Sequence, residues 1–388
     1  DLDPDCVLTP QSWELFKSYA ARVRRLTYDD DEYDGVISTG LIVQALAVHP
    51  GGILPNLRAV HWQVGESGVT QILAFCPPSL ERMSLHIGDK GLDVDSVKRV
   101  LSSLSLYLAS RLKFFGFGTS LSTNEDAALS TALNAFLRSQ TGLVELILPY
   151  YEIQDPLTIS VACQASPQLR TFCGEMLDFT KRMFRTALSA LSKRGASLRC
   201  LRLIRSASEP HRESISLDDI EPLLQLSIIE DIRLWLRCRL ELKGTHIQQM
   251  GQAWQGLTSL ILRSSEPGIP LAHLIAFAQW FPALQKFAAR LDCSGYIPSA
   301  DEVPSRFKSL CTLTFLDVWI TEDRMLRMAE FLAMVCGPRV RVRAHTYGLD
   351  SGGFLHDVFP WETGHEDAKL REWLDAFYRV QEAIKRVD

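Results

Sequence analysis

One pattern recurs along the chain: an apolar residue, a second three positions on, and a third two further. It stands at Val23-Leu26-Tyr28, Leu57-Val60-Trp62, Leu80-Met83-Leu85, Leu112-Phe115-Phe117, Leu143-Leu146-Leu148 and Leu169-Phe172-Gly174. It continues at Leu198-Leu201-Leu203, Ile229-Ile232-Leu234, Leu257-Leu260-Leu262, Leu284-Phe287-Ala289 and Leu313-Leu316-Val318, with a weak copy from Val340. Successive starts lie about 29 residues apart, a period that points to stacked repeats. The last two apolar positions of each triplet are two apart, the spacing of a strand with one face buried. Eight of the twelve triplets have Pro or Gly just before them, as in LPNL, PPSL, TGL, SPQL, GASL, QGL, FPAL and GPRV. A turn is therefore expected to launch each strand. Helix-period segments fill most of the gaps. In 125–138, Leu129, Leu133, Phe136 and Leu137 share a face, and Ser122 with Glu125 has the form of a capping box. In 324–336, Met325, Met328, Leu332 and Val335 do the same.

One strand and one helix cannot bury their own apolar faces, so such units must stack and share a continuous core. The expected fold is α/β: a curved solenoid with parallel strands on the concave side and the wider helices on the convex side. Residues 1–22 form an N-terminal capping segment, with a helix over 12–22 that carries Trp13, Phe16 and Ala20 on one side. Residues 23–345 form the solenoid of about twelve irregular repeats. Residues 346–388 form a loop and an amphipathic capping helix striped by Leu370, Trp373, Leu374, Phe377, Val380 and Ile384.

The strand segments LPNLRAVHW, PPSLERMSLHI, GASLRCLRLI and QGLTSLILRS resemble leucine-rich repeats, and their length is similar to the longer repeats of F-box-type substrate receptors. The opening LTPQSWELFKSYAARVRRLTY resembles the segment that follows the F-box in a large group of fungal F-box-like leucine-rich-repeat proteins. Leu316-Asp317-Val318, followed by an amphipathic helix and a Trp-containing tail, is similar to that group's C-terminal end. The resemblance implies the substrate-binding part of a receptor for a cullin ubiquitin ligase, with a Skp-type adaptor contacted through an F-box. Two departures stand out. The Asn that forms a ladder after the strand in many such repeats is replaced by residues such as Gly65, Gly88, Ser120 and Ser265, with Cys238 and Cys293 one residue away. Only about ten residues precede the first expected helix, so an F-box would lie upstream of Asp1 or be lacking. The alternative expectation is a stand-alone scaffold or inhibitor that binds one protein partner with no link to ubiquitin.

Composition narrows the picture without adding a function. With 46% apolar and 22% charged residues, the chain is not of a disordered class. A net charge of −5 gives no global basic field for nucleic acid or an anionic membrane. The longest apolar runs, 41–48 and 331–336, fall far short of the roughly 20 residues of a membrane span. Nine cysteines stand singly, an odd number without Cys-x-x-Cys spacing, so neither a disulfide framework nor a zinc site is expected. Scattered thiols suit a reducing compartment, the cytoplasm or nucleus.

Catalytic signals are weak throughout. Gly116-x-Gly118 is a fragment of a dinucleotide fingerprint inside an expected strand. Ser351-Gly352-Gly353 lacks the glycine before the serine that a nucleophile elbow needs. His356 and His365 with Asp357, Glu366 and Asp367, and the run from Asp29 to Glu32, read as solvated loops rather than acid–base or cation sites. Cys173 and Cys200 have no His placed to activate them. The expectation is no enzyme, no catalytic residue, no cofactor and no metal.

The repeat instead predicts a surface. If the recurring leucines face the core, the residues between them line the concave side. In order these are Ala59 and His61, Arg82 and Ser84, Phe114 and Gly116, Glu145 and Ile147, then Thr171 and Cys173. Cys200 and Arg202, Asp231 and Arg233, Ser259 and Ile261, Lys286 and Ala288, and Phe315 and Asp317 follow. From the seventh repeat on, Arg202, Arg233, Arg263, Lys286 and Arg290 fall on neighbouring strands beside Trp235 and Trp319, with Asp231 and Asp317 offsetting some charge. Arg and Trp are favoured interface anchors. The ligand expected is a protein substrate with an acidic or phosphorylated segment, bound by a monomer, with no nucleic acid or membrane partner.

Overall fold

The structure is a computed structural model describing residues 9–29, 42, 53–64, 69–88, 94–108, 110–119, 126–153, 156–177, 180–206, 214–265, 268–316, 322–337, 340–345 and 378. The chain divides into two compact units, Asp1–Glu175 and Met176–Asp388. Both follow the rhythm of strand, turn, helix, turn and strand.

The first unit opens with helix α1 (Pro10–Ala20). Thr9 caps it by accepting from the Ser12 amide, and Pro10 occupies the first turn, where no backbone donor is needed. Strands β1 (Arg25–Asp29), β2 (Ala59–Val64), β3 (Arg82–Ile87), β4 (Phe114–Thr119), β5 (Glu145–Glu152) and β6 (Thr171–Leu177) then pair in sequence order, each parallel to the next. A 3₁₀ turn at Val69–Phe75 stands between β2 and β3, and helices α2 (Val94–Tyr107), α3 (Asp126–Ser139) and α4 (Pro156–Ala165) fill the later gaps.

In the second unit, helix α5 (Lys181–Arg194) leads to β7 (Cys200–Ser206), followed by the short β8 (Ser214–Ser216) and α6 (Leu217–Ile220). After β9 (Asp231–Glu241) come α7 (Gly244–Ala253), β10 (Ser259–Ser265), β11 (Ile269–Pro270) and α8 (His273–Trp280). The series closes with β12 (Lys286–Ala289), β13 (Leu291–Asp292), β14 (Thr312–Leu316), α9 (Glu322–Cys336) and β15 (Arg341–His345). The path β7-β9-β10-β12-β14-β15 is a parallel sheet.

The expected alternation is present. Strand β2 runs half-buried, buried, half-buried, buried, with Val60, Trp62 and Val64 inside. The buried rows meet the helices or 3₁₀ turns: Phe115 packs on Phe136 at 4.5 Å, Phe287 on Phe277 at 4.6 Å and Trp62 on Phe75 at 5.4 Å between ring centroids. Each fully buried leucine in these rows contributes roughly 1.5–3 kcal/mol. The predicted turns also form. The amides of Leu57, Leu80, Leu169, Leu198, Leu257 and Leu284 each donate to the carbonyl three residues back, closing a turn on the first apolar residue of the triplet. One carbonyl just before most strands then accepts two successive amides of the next repeat, as Arg58 does for Glu81 and Arg82, and Thr258 for Gln285 and Lys286.

Ten of the twelve triplets hold their expected register. The last two do not. Leu313 pairs with Phe287, and Phe315 with Ala289, so the inward set of that repeat is Leu310, Leu313 and Phe315. Phe315, assigned above to the concave side, is a core residue; Thr312 and Thr314 hold the outward positions. In β15 the partner of Leu313 is Val342, so Arg341 and Arg343 face outward and the frame beginning at Val340 is shifted by one. The capping helix begins two residues earlier than expected, because Thr9-Pro10 starts it. Asp317, Trp319, the Ser122–Glu125 box, the acidic run beyond Asp29 and the C-terminal stripe lie outside the described residues.

Helix α7 approaches α8 closely at Gly251, where a Cβ would lie 2.5 Å from the Trp280 Cβ and 2.6 Å from its carbonyl oxygen. Backbone cannot yield as a flexible side chain would, so Gly251→Ala is expected to cost about 1–3 kcal/mol in a denaturant titration. An unchanged midpoint would mean that the two helices have slack.

Candidate functional site

Outward strand positions in the two units differ in chemistry. In the first unit, charge is largely balanced: Arg82 lies over the Phe114 ring at 4.3 Å and reaches Glu145 at 3.5 Å, two strands away. His61, half-buried between Asp29 and Arg25, titrates below the ordinary histidine range, chiefly because burial disfavours its cation. Gly116 and Gly118 lie in β4 as expected, with Ser84 close against Gly116.

In the second unit the outward rows are set by the strand register. One row runs Cys200, Asp231, Ser259, Lys286, Thr312 and Arg341; the next runs Arg202, Arg233, Ile261, Ala288, Thr314 and Arg343. In the row beyond, Ile204 pairs with Trp235 and Trp235 with Arg263. Of the cations placed here from the sequence, Arg202 and Arg233 are registered neighbours, while Arg263 pairs with Trp235 and Lys286 with Ser259 and Thr312. The Arg263 guanidinium stacks on the Trp235 ring at 4.2 Å, a cation–π pair that holds both in a fixed pose. Arg290 directly follows β12 and is half-buried, and Lys286 is exposed. Trp319 lies outside the described residues.

Two of the predicted anchors are committed to an internal partner. Asp231 accepts from the Arg233 Nε at 3.2 and 3.1 Å through its two oxygens, and the Arg233 terminal nitrogen lies 3.0 Å away. Arg202 approaches the same carboxylate at 3.7 Å. All three side chains are mostly covered, with 18% of Asp231, 19% of Arg233 and 28% of Arg202 exposed. The Cys200 thiol donates to Asp231 at 3.4 Å, and burial, with the carboxylate beside it, pushes that thiol up to about 11. Cys200 is thus a protonated hydrogen-bond donor at neutral pH rather than a nucleophile. Asp231 fixes the two guanidinium groups at the price of some of their charge. Replacing it by Asn is expected to lower stability by about 1–3 kcal/mol, since the covered guanidinium groups lose a charged acceptor. It should at the same time tighten binding of an acidic peptide. A thermal melt paired with a peptide titration checks both directions, and weaker binding would contradict this assignment of Asp231.

Sequence reasoning missed Arg341 and Arg343. Both are exposed on β15, and together with Lys286 they extend the cationic surface to the far edge of the sheet. The signal was present: Arg339-Val340-Arg341-Val342-Arg343 alternates with the period of a half-buried strand. Behind the face, Arg205 is fully buried, donating to the Cys238 sulfur at 3.2 Å and lying 5.7 Å from the Phe184 ring. None of the described cysteines is in a disulfide. Among the described residues no group of three His, Cys, Asp or Glu could hold a metal ion, and no helix is long and apolar enough to cross a membrane.

No protein-family model matches the chain, and no curated protein matches it. Solved structures do resemble it. The yeast Rad7–Elc1 complex contains a chain similar over 87% of this one and 89% of that one, with 13% identity and a TM-score of 0.49. The leucine-rich-repeat protein LegL7 of Legionella pneumophila is similar over 78% of this chain and 98% of that chain, at 14% identity and a TM-score of 0.39. The Leptospira interrogans leucine-rich-repeat protein LIC12759 is similar over 85% and 86%, at 12% identity and a TM-score of 0.40. At these scores the repeat architecture rests on the strand pairing and burial described above.

Proposed function

We propose that this chain is a protein-recognition module, and that the outward face of the second unit's sheet receives the partner. The observation that carries the reading is the row-by-row placement of Arg263 on Trp235 beside Arg233, Lys286, Arg341 and Arg343, in a chain whose net charge is −5. Long cations and a braced indole on a parallel sheet supply area, direction and charge, the properties of interface anchors. The ligand class that fits is a protein segment rich in carboxylates or carrying phosphate. The work done is positioning; the chain itself makes and breaks no bonds.

The finer reading is the substrate-binding part of an F-box-type receptor for a cullin ubiquitin ligase. It rests on the resemblance of the opening segment and the repeats to that group. In that setting the recognition face would hold a target so that its lysines meet the charged ubiquitin, while a Skp-type adaptor binds through an F-box elsewhere in the full-length protein. Cysteines outside any disulfide among the described residues support placement in the cytoplasm or nucleus, and the module is read as a monomer. Co-purification of the full-length gene product with a Skp-type adaptor is the expected result. Its failure, with partner binding retained, would leave the stand-alone scaffold as the reading.

A further inference from the structure

Strands β12, β14 and β15 bring six outward positions into a two-by-three grid: Lys286, Thr312 and Arg341 in one row, and Ala288, Thr314 and Arg343 in the next. Neighbouring strands lie about 4.8 Å apart and alternate residues about 6.6 Å apart, so the grid spans roughly 10 by 7 Å at the backbone. Three of its corners are long cations, all exposed. Its middle strand carries two threonines and its fourth corner an alanine, so the centre is lower than the rim. Thr314 is 7% and Ala288 4% exposed, so the second row is more covered than the first. No acidic residue occupies any of the six positions, and among the described residues neither threonine hydroxyl nor any of the three cations has a polar or ionic partner. The contrast with the β7–β9 half of the same face is direct, since there Asp231 already engages Arg202 and Arg233.

We infer that this grid is a phosphoryl subsite, which reads a phosphoserine or phosphothreonine in the partner protein. The inference rests on the reading that this face receives a protein, and it deepens that reading by choosing phosphate over carboxylate. A carboxylate brings one negative charge in a plane. A phosphate monoester brings nearly two, on three acceptor oxygens arranged as a tripod. The grid offers the matching set: three cations around the rim, two of them guanidinium groups able to donate in pairs, and the half-buried Thr312 hydroxyl between Lys286 and Arg341. A single carboxylate would leave at least one of the cations and one hydroxyl unmatched. The Trp235–Arg263 pair, on the next two strands β9 and β10, then lies along the same face to accept the residues that flank the phosphorylated one.

The test passes a degenerate phosphothreonine peptide library, its unphosphorylated twin and a single-stranded DNA 12-mer over the immobilised full chain. The phosphorylated library should be retained at least about tenfold better than its twin, and the preference should disappear in the Arg341→Gln/Arg343→Gln double variant. Lys286→Gln, on a different strand, should reduce the preference without abolishing it, so that a folding defect in the double variant does not decide the matter. Equal retention of the two libraries overturns the inference. If both are then released by Trp235→Ala, the face still binds protein and only the phosphoryl subsite falls. Stronger retention of the DNA, or no retention of either library, also overturns it.

Discussion

Leu201→Asp is expected to unfold the second unit, with a loss of at least about 4 kcal/mol. Leu201 is fully buried in β7, between Cys200 and Arg202, and its registered neighbour on β9 is the equally buried Ile232. A carboxylate there has no partner and no water. It would take up a proton rather than stay charged, leaving a polar carboxyl and lost packing in place of a well-fitted leucine. Because repeats depend on their neighbours, the damage should spread from β7 to β9 and β10 rather than stay local. Leu201→Met, which keeps volume and polarity, should cost less than about 1.5 kcal/mol. The contrast is sharpest against Lys286→Asp, also a strand position but exposed, which should barely move the melting temperature. Circular dichroism melts of the three variants settle the facing of the sheet. Equal losses for Leu201→Asp and Lys286→Asp would mean that it has been assigned backwards.

The second large effect is on binding. Trp235→Ala should weaken the partner complex by about 2 kcal/mol or more, close to thirtyfold, while costing the free protein less than about 1.5 kcal/mol. Trp235 is half-buried, so its loss opens no core cavity. What it removes is the ring on which Arg263 rests at 4.2 Å, so one substitution takes away an aromatic surface and frees a neighbouring cation from its pose. Titration calorimetry on wild type and variant measures the first number, and a denaturant titration the second. Arg233→Glu makes a poorer probe. It would set a second carboxylate against Asp231 and expose Cys200 and Arg202 to a rearranged cluster, mixing a folding effect with a binding one.

Much of the architecture was legible because it is carried by period and polarity. The alternation around Val60-Trp62, Leu201-Leu203 and Leu260-Leu262 admits one facing only, and the strands pair in that register. Legibility ended where leucines offered two frames. Leu310, Leu313 and Leu316 are spaced by three, so a triplet can be drawn from either Leu310 or Leu313, and only pairing with Phe287 decides. That choice moved Phe315 into the core and brought Thr312 and Thr314 to the surface. In the last repeat a slip of one residue hid Arg341 and Arg343. At the site, the neighbourhood of Trp235 and Arg263 could be read from spacing, since both stand one step beyond their triplets on adjacent strands. The capture of Arg202 and Arg233 by Asp231 could not, because it depends on side-chain directions across two strands.

The outward sheet face of the second unit, not its helical side, is proposed to receive the partner. Quantitative affinity capture with the full-length protein tests this most directly, comparing wild type, Trp235→Ala and Arg182→Glu, the last an exposed change on α5. One set of proteins should be retained by wild type and Arg182→Glu and lost from Trp235→Ala. Retention of that set by Trp235→Ala, with its loss from Arg182→Glu, would contradict that placement.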